Sequence, residues 1–264
     1  MPERRPGRSR HRCWPPVCDC AGRGTNGWYS TLLGNTSCIL IETSDFYIIL
    51  DAGDGFYKID RHIKNNKPIF LFLSHVHLDH IIGFHMLNKF NFEQGIKVYC
   101  YLETKKYLKN LIEHPYSASL SQISTNVEFH EINEGKYESP IPFECRLLVH
   151  TDPCLGYRFY VNNKLITYCT DTGPCENMNY LSKNVDLLIS ECGYKVDSEY
   201  SEWPHLNPKV AAEIAQSNNA KNLILTHFSA DLYSTREDRE KAENIAKSIF
   251  KFSRVAYDDM IFDL

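Results

Sequence analysis

A short apolar run, Ile69–Leu73, opens directly onto Ser74-His-Val-His-Leu-Asp-His80, placing His75, His77, Asp79 and His80 within six residues. Consecutive apolar residues bounded by polar ones read as a strand buried on both faces. The C-terminal end of such a strand is where α/β architectures place their chemistry. Imidazole suits zinc and other borderline divalent ions, and a carboxylate adds a hard anionic oxygen. His75 and His77, on alternate positions, let two rings converge on one cation. Asp79 and His80, where the backbone turns into a helix, point to a second. Histidines that merely hydrogen-bond one another in a polar loop explain so many ligand-type residues less well. The segment reads as a metal site.

His75-x-His77-x-Asp79-His80 resembles the signature of the metallo-β-lactamase superfamily, a group of αβ/βα metallohydrolases. The resemblance implies an α+β fold: a four-layer αβ/βα sandwich, two mixed β-sheets packed face to face with helices outside. It also implies further ligands in chain order, each closing an apolar run. His150 follows Leu147-Leu-Val, Asp171 follows Leu165–Thr170, and His227 follows Leu223–Thr226. By the same likeness, one metal is held by His75, His77 and His150, the other by Asp79, His80 and His227, with Asp171 bridging. Asp51, in Asp51-Ala-Gly53, matches an aspartate that orients the histidine loop without binding metal. Cys169 is the competing ligand to weigh. It shares a strand face with position 171, where lactam-cleaving members often carry a Cys. The implied cofactors are two divalent metal ions, Zn2+ foremost, with Mn2+ or Fe2+ also suited.

Thr170-Asp-Thr-Gly173 together with Leu225-Thr-His-Phe-Ser229 is similar to the branch containing ribonuclease Z and related phosphodiesterases. In that branch one strand end carries His-Glu and a later element His-Ser-Thr. This chain keeps Glu191 and His205 but has Ser190 in place of the first His. Glu191 accepting a hydrogen bond from His205 would make that imidazole a general acid beside the leaving oxygen, so the catalytic set expected is Asp79, Glu191 and His205. The resemblance implies a dinuclear metal-dependent hydrolase cleaving phosphodiester bonds by metal-bound hydroxide. The alternatives are a hydrolase of carboxylic esters, thioesters or lactones, and a non-catalytic metal-centre sensor on the same fold.

Partners are constrained by charge and loop length. The chain carries −4 with histidines neutral, and its first twelve residues hold five Arg against one Glu, or +4, so the remainder stands at −8. RNA-binding proteins ordinarily show a basic footprint. The Lys105, Lys106, Lys109 cluster and the linker-like Lys58, Arg61, Lys64, Lys67 stretch read instead as solvated faces. Between His150 and Asp171 the sequence holds a hairpin turning at Asn162-Asn163, which leaves no room there for a long tRNA-clamping arm. The expected substrate is a small molecule or short nucleotide rather than long structured RNA, with a homodimer as a candidate assembly.

Residues 1–22 read as a disordered or non-native basic leader and 23–264 as a single hydrolase domain. No apolar run approaches bilayer length, and no apolar core follows the basic start, so neither a membrane span nor a secretory signal is expected. Ten cysteines in a chain of 264 residues, several inside strand-like runs, read as buried free thiols of a cytoplasmic enzyme. Cys13, Cys18 and Cys20 lack the second half of a zinc knuckle. Helices are expected over His80–Lys89, Thr104–His114, Pro208–Ser217 and Arg236–Phe250, and a terminal strand over Met260–Leu264. Tyr194, Trp203 and Phe228 are candidates to line a substrate pocket.

Overall fold

The computed structural model describes residues 35–198 and 203–264, and the backbone alone of residues 12–14. The chain enters a first sheet with β1 (Arg12–Trp14), β2 (Ile39–Glu42), β3 (Tyr47–Leu50), β4 (Ile69–Phe72), β5 (Ile96–Tyr101) and β6 (Val127–Ile132). It then builds a second from β7 (Gly135–Tyr137), β8 (Phe143–Leu147), β9 (Leu155–Val161), β10 (Lys164–Cys169), β11 (Leu187–Glu191), β12 (Leu223–Thr226) and β13 (Ser253–Val255). Finally β14 (Phe262–Asp263) returns to the first sheet. The orders are β14-β1-β2-β3-β4-β5-β6 and β13-β12-β11-β10-β9-β8-β7. Both sheets are mixed: β3 to β6 run parallel, as do β10 to β13, while the other neighbours are antiparallel.

Continuous apolar strands are what a sandwich covered on both sides requires. In β3, Ile48 and Leu50 face the space between the sheets, where they join Phe72, Tyr157, Phe159 and Ile189. Tyr47 and Ile49, on the other face of the same strand, pack beneath Phe56, Phe84 and Leu108. Those side chains come from a 3-10 helix at Asp54–Arg61, from α1 (Leu78–Ile81) running on into a 3-10 helix at Ile82–Lys89, and from α2 (Lys105–Leu111). The second sheet is covered by α3 (Glu176–Leu181), α4 (Pro208–Ser217) and α5 (Arg236–Ile249), whose Ala211, Ala212, Ala215, Ala242 and Ala246 are buried. Two sheets inside and helices outside give the expected four layers.

Local chemistry sets the boundaries. Asn162 and Asn163 turn the β9–β10 hairpin with φ of 50° and 62°, the backbone of a two-residue primed turn, which Asn adopts readily. Asn207 Oδ1 accepts the Val210 N–H at 3.0 Å, and Pro208 occupies the first turn of α4. Both are strong helix-start signals. Thr235 and Asp238 form a capping box at α5.

Several elements differ from expectation. The helix expected over His80–Lys89 begins at Leu78 and tightens to 3-10 geometry after Ile81, and the one expected over Thr104–His114 is regular only through Leu111. The Lys58–Lys67 stretch is not a linker with a solvated face. Its first part is the helix Asp54–Arg61, and Lys58 is buried against Asp258 at 3.4 Å and Asp259 at 3.6 Å. The strands β7 and β13 and the helix α3 are additional. They are short, and α3 is capped by the thiol of Cys175, which accepts the Met178 N–H at 3.4 Å, a residue type that gives no cap signal. Arg12–Trp14, inside the stretch expected to be a leader, pairs with both β2 and β14. Residues 1–11 and 15–34, which include Cys18, Cys20 and most of that leader, lie outside the described residues. The cysteines among the described residues are all free thiols, and all but Cys175 are buried.

Candidate metal centre

The site assembles along one edge of the sandwich, where β3, β4, β8, β10, β11 and β12 end. Asp51, Asp171 and His227 each follow a strand directly or within two residues and adopt φ of 59°, 50° and 54°. This left-handed backbone is strained by on the order of 1–2 kcal/mol for a residue with a Cβ, less for Asp. The reversal turns the chain sharply out of the sheet, so that side chains from separate strands aim at one volume.

That volume receives all seven residues expected to bind metal. His75, His77, His150 and Asp171 form one group, and Asp79, His80, His227 and Asp171 another, with the ligand-type atoms of each group within 4.8 Å of one another. In the first, His77 Nδ1 lies 2.9 Å from His75 Nε2 and 3.2 Å from His150 Nε2. Asp171 Oδ2 lies 3.6 Å from His75 Nε2 and 3.8 Å from His150 Nε2. In the second, His227 Nε2 is 3.2 Å from His80 Nε2, 3.1 Å from Asp79 Oδ2 and 3.1 Å from Asp171 Oδ1. Asp171 thus offers one oxygen to each group.

These spacings match what a cation needs. A tetrahedron with metal–ligand bonds of about 2.1 Å has edges of about 3.4 Å, close to the separations found. The electrostatics agree. Burial disfavours charge throughout, yet Asp79 and Asp171 stay well below the usual carboxylate range because His80 and His227 face them. Burial likewise works against His80 and His227, but the carboxylates prevail: Asp79, Asp171 and Asp51 hold His80 well above an ordinary histidine, and Asp171 with Asp79 pushes His227 up to about 9. Protons there balance negative charge that a divalent ion would balance instead. His75 and His150, where burial dominates, are lowered, His150 to about 4; they are neutral and ready to ligate.

Each group is held from behind. Buried Asp51 accepts the Ser74 N–H at 2.6 Å on Oδ1, while Oδ2 takes His80 Nδ1–H at 2.7 Å, the Ser74 hydroxyl at 2.8 Å and the Tyr168 hydroxyl at 2.6 Å. This fixes the His80 tautomer so that Nε2 faces the cluster. Ser37 donates in turn to Tyr168 at 2.9 Å. Gly53 has no alternative here, because a Cβ would stand 2.3 Å from the carbonyl oxygen of Asp79. His77 is turned by Asp152, whose Oδ2 accepts Nε2–H at 2.9 Å. Asp152, Ser37 and Tyr168 carry no local signal as partners, since each acts across a long chain separation. Cys169 is buried among the apolar side chains under α3 and α4, outside both groups.

Glu191 and His205 meet as expected. Glu191 accepts His205 Nδ1–H at 2.9 Å and the Thr172 N–H at 2.6 Å on Oε1, and the Gly193 N–H at 3.0 Å on Oε2. Burial disfavours a charged His205, but Glu191 outweighs it and the pKa is raised. Gly193 packs so tightly that a Cβ would lie 3.0 Å from His205 Cγ. His205 opens onto a cavity of about 260 Å3 lined also by His77, Leu78, Asp79, Asp171, Trp203 and His227. Tyr194 stands edge-on to the His205 ring at 5.4 Å. Phe228 does not line the cavity; it packs at 4.8 Å against Tyr233 in the outer core.

With ligand-type side chains at strand ends in two groups sharing one carboxylate, the architecture is that of a metallo-β-lactamase fold. The chain matches the beta-lactamase superfamily domain over residues 47–228 and belongs to that superfamily. It is 24% identical to a ribonuclease Z of Prochlorococcus marinus (strain MIT 9312), over 91% of this chain and 98% of the relative. The metallo-beta-lactamase fold protein YhfI from Bacillus subtilis superposes with a TM-score of 0.76 at 19% identity, covering 97% of this chain and 100% of the other. A diphosphatase from the PhnP family superposes at 0.72 with 17% identity, covering 97% and 98%. Among the described residues no helix is long and apolar enough to cross a membrane.

Proposed function

We propose that the protein is a dinuclear metal-dependent hydrolase that cleaves phosphodiester bonds in a small-molecule or short nucleotide substrate in the cytoplasm. The observation that carries this reading is Asp171, whose two oxygens face two separate histidine groups. His75, His77 and His150 would hold one divalent ion, Asp79, His80 and His227 the other, with Asp171 shared and Zn2+ the best-suited metal. Bound there, the pair would supply Lewis acidity and activated water at neutral pH.

The protein's own groups would do the rest. Glu191 keeps a proton on His205 Nδ1 and raises the imidazole pKa, so that Nε2, on the cavity side, can protonate a departing alkoxide. Such an acid matters most when the leaving group is a poor one, as in a phosphodiester. Thr172 and Gly193 fix Glu191 through their backbone N–H groups, so its carboxylate cannot swing towards the metals. A small substrate accords with the size of the cavity and with the short β9–β10 hairpin between His150 and Asp171. The names of the relatives, a ribonuclease Z and a diphosphatase, favour phosphoryl over carbonyl chemistry.

The test is an assay of metal-loaded protein on a bis-aryl phosphate, an aryl ester, a thioester and a lactone. The phosphodiester should be turned over with the highest kcat/KM. Preference for a carbonyl substrate would overturn the phosphodiester reading, and no turnover with both metals bound would favour a sensor.

A further inference from the structure

Trp203 is 39% exposed, and its ring centroid stands 5.5 Å from that of His77 and 6.0 Å from that of His150. Leu78, 55% exposed, lines the same cavity. Large apolar side chains left open beside a cluster of charged groups need a reason, because burial elsewhere would be favourable. The Trp203 backbone is held in place: its carbonyl accepts the Tyr194 hydroxyl at 2.6 Å. The next residue, Pro204, locks its own φ and keeps Trp203 extended. His205 follows at once, so the exposed indole and the hydrogen-bonded imidazole lie two residues apart on one segment.

We propose that Trp203 and Leu78 form a subsite for a neutral planar aromatic group, a nucleobase or aryl ring, carried on the phosphoryl substrate. The inference rests on the phosphodiester reading above and names the ester arm which that reading leaves open. Charge and size select the occupant. Among the described residues no Lys or Arg lines the cavity, so a second phosphate would find no cation there beyond the His205 imidazole, which the leaving oxygen needs. Asp79 and Asp171 are already engaged by His227 at 3.1 Å and offer none to a cationic head group. The volume, about 260 Å3, lies under the range of about 300–1,000 Å3 typical of drug-sized ligands. It suits a phosphoryl group and one ring. An indole face beside that space provides stacking, which tolerates any base because every base has a π-face.

Calorimetry on metal-loaded protein with phenylphosphonate and methylphosphonate tests this without turnover. Both bring the same anion to the metals, so their affinity ratio reads the apolar subsite alone. Phenylphosphonate should bind about 5- to 150-fold more tightly, the span of a single stacking contact. The ratio should fall most of the way towards one in Trp203→Ala, where Leu78 remains, and stay well above that value in Trp203→Phe, which keeps a ring. Leu78→Ala should lower it partway. A ratio near one in the unaltered protein, or one unchanged in Trp203→Ala, overturns the subsite while leaving the phosphoryl reading intact. If neither phosphonate binds, the phosphoryl reading itself fails, and the subsite with it.

Discussion

Replacing Asp51 by Asn changes one buried atom and tests how the metal centre is organised. Asn tolerates the left-handed backbone at this position, where φ is 59°, so the substitution leaves the chain path alone. Its oxygen can still accept the Ser74 N–H, but an amide NH2 then faces the three donors that converge on Oδ2. The hydroxyls of Ser74 and Tyr168 can rotate to accept. His80 cannot, unless its proton moves from Nδ1 to Nε2, the nitrogen facing Asp79 and His227. A protonated Nε2 is unable to bind metal. The loss is one charge-assisted hydrogen bond, about 1.5–3 kcal/mol, which agrees with the roughly 10- to 100-fold loss of affinity usual when a ligand's outer partner is removed. Competition against a chelator at fixed pH should therefore show the Asp79/His80/His227 site weakened by one to two orders of magnitude. The His75/His77/His150 site, touched only through the Ser74 hydroxyl 3.0 Å from His75 Nδ1, should change far less. Unchanged affinity at both sites, or equal losses, would rule out this role for Asp51. Asp51→Ala should be worse, adding about 1–2 kcal/mol of backbone strain.

Asp171→Ala should lower metal content at both groups and abolish turnover; elemental analysis showing two full equivalents would rule out the shared carboxylate. His205→Ala should keep its metals yet lose about 100- to 10,000-fold in rate on phosphodiesters with poor leaving groups, while activated aryl esters change little. Equal losses on both would point to a structural role. In the metal-free protein His227 is protonated below about pH 9, and a cation must expel that proton. Affinity should thus climb as pH rises from 7 towards 9, and proton release on metal addition, read in weak buffer, should shrink over the same interval as His227 gives up its proton. Thr235→Ala removes the oxygen that caps α5 and should lower stability by about 1 kcal/mol in denaturant titration, leaving metal binding unchanged.

Much of the site is legible in the amino-acid order, and the reason is local. His75, His77, Asp79 and His80 sit next to one another, and His150, Asp171 and His227 each close an apolar run, so chain neighbours announce them. Buried strands covered on both faces also leave uninterrupted apolar runs, which is why β4 and β12 could be read almost residue by residue. The helix Asp54–Arg61 was harder: Phe56 and Ile59 are its only buried large apolar residues, scattered among charges, and Lys58 is hidden through a partner 200 positions away.

The candidate ligand types, the strands that carry them and the two-sided burial of the sheets are all written in the amino-acid order, because these depend on residue chemistry and short-range periodicity. The folded structure fixes which nitrogen His80 and His77 present, through Asp51 on His80 and Asp152 on His77. It also decided that Trp203 stands over the cluster while Phe228 turns into the core. Orientation arises from contacts between segments far apart in the chain, and a hydrogen bond spanning 75 or 117 residues leaves no periodic trace in the amino-acid order.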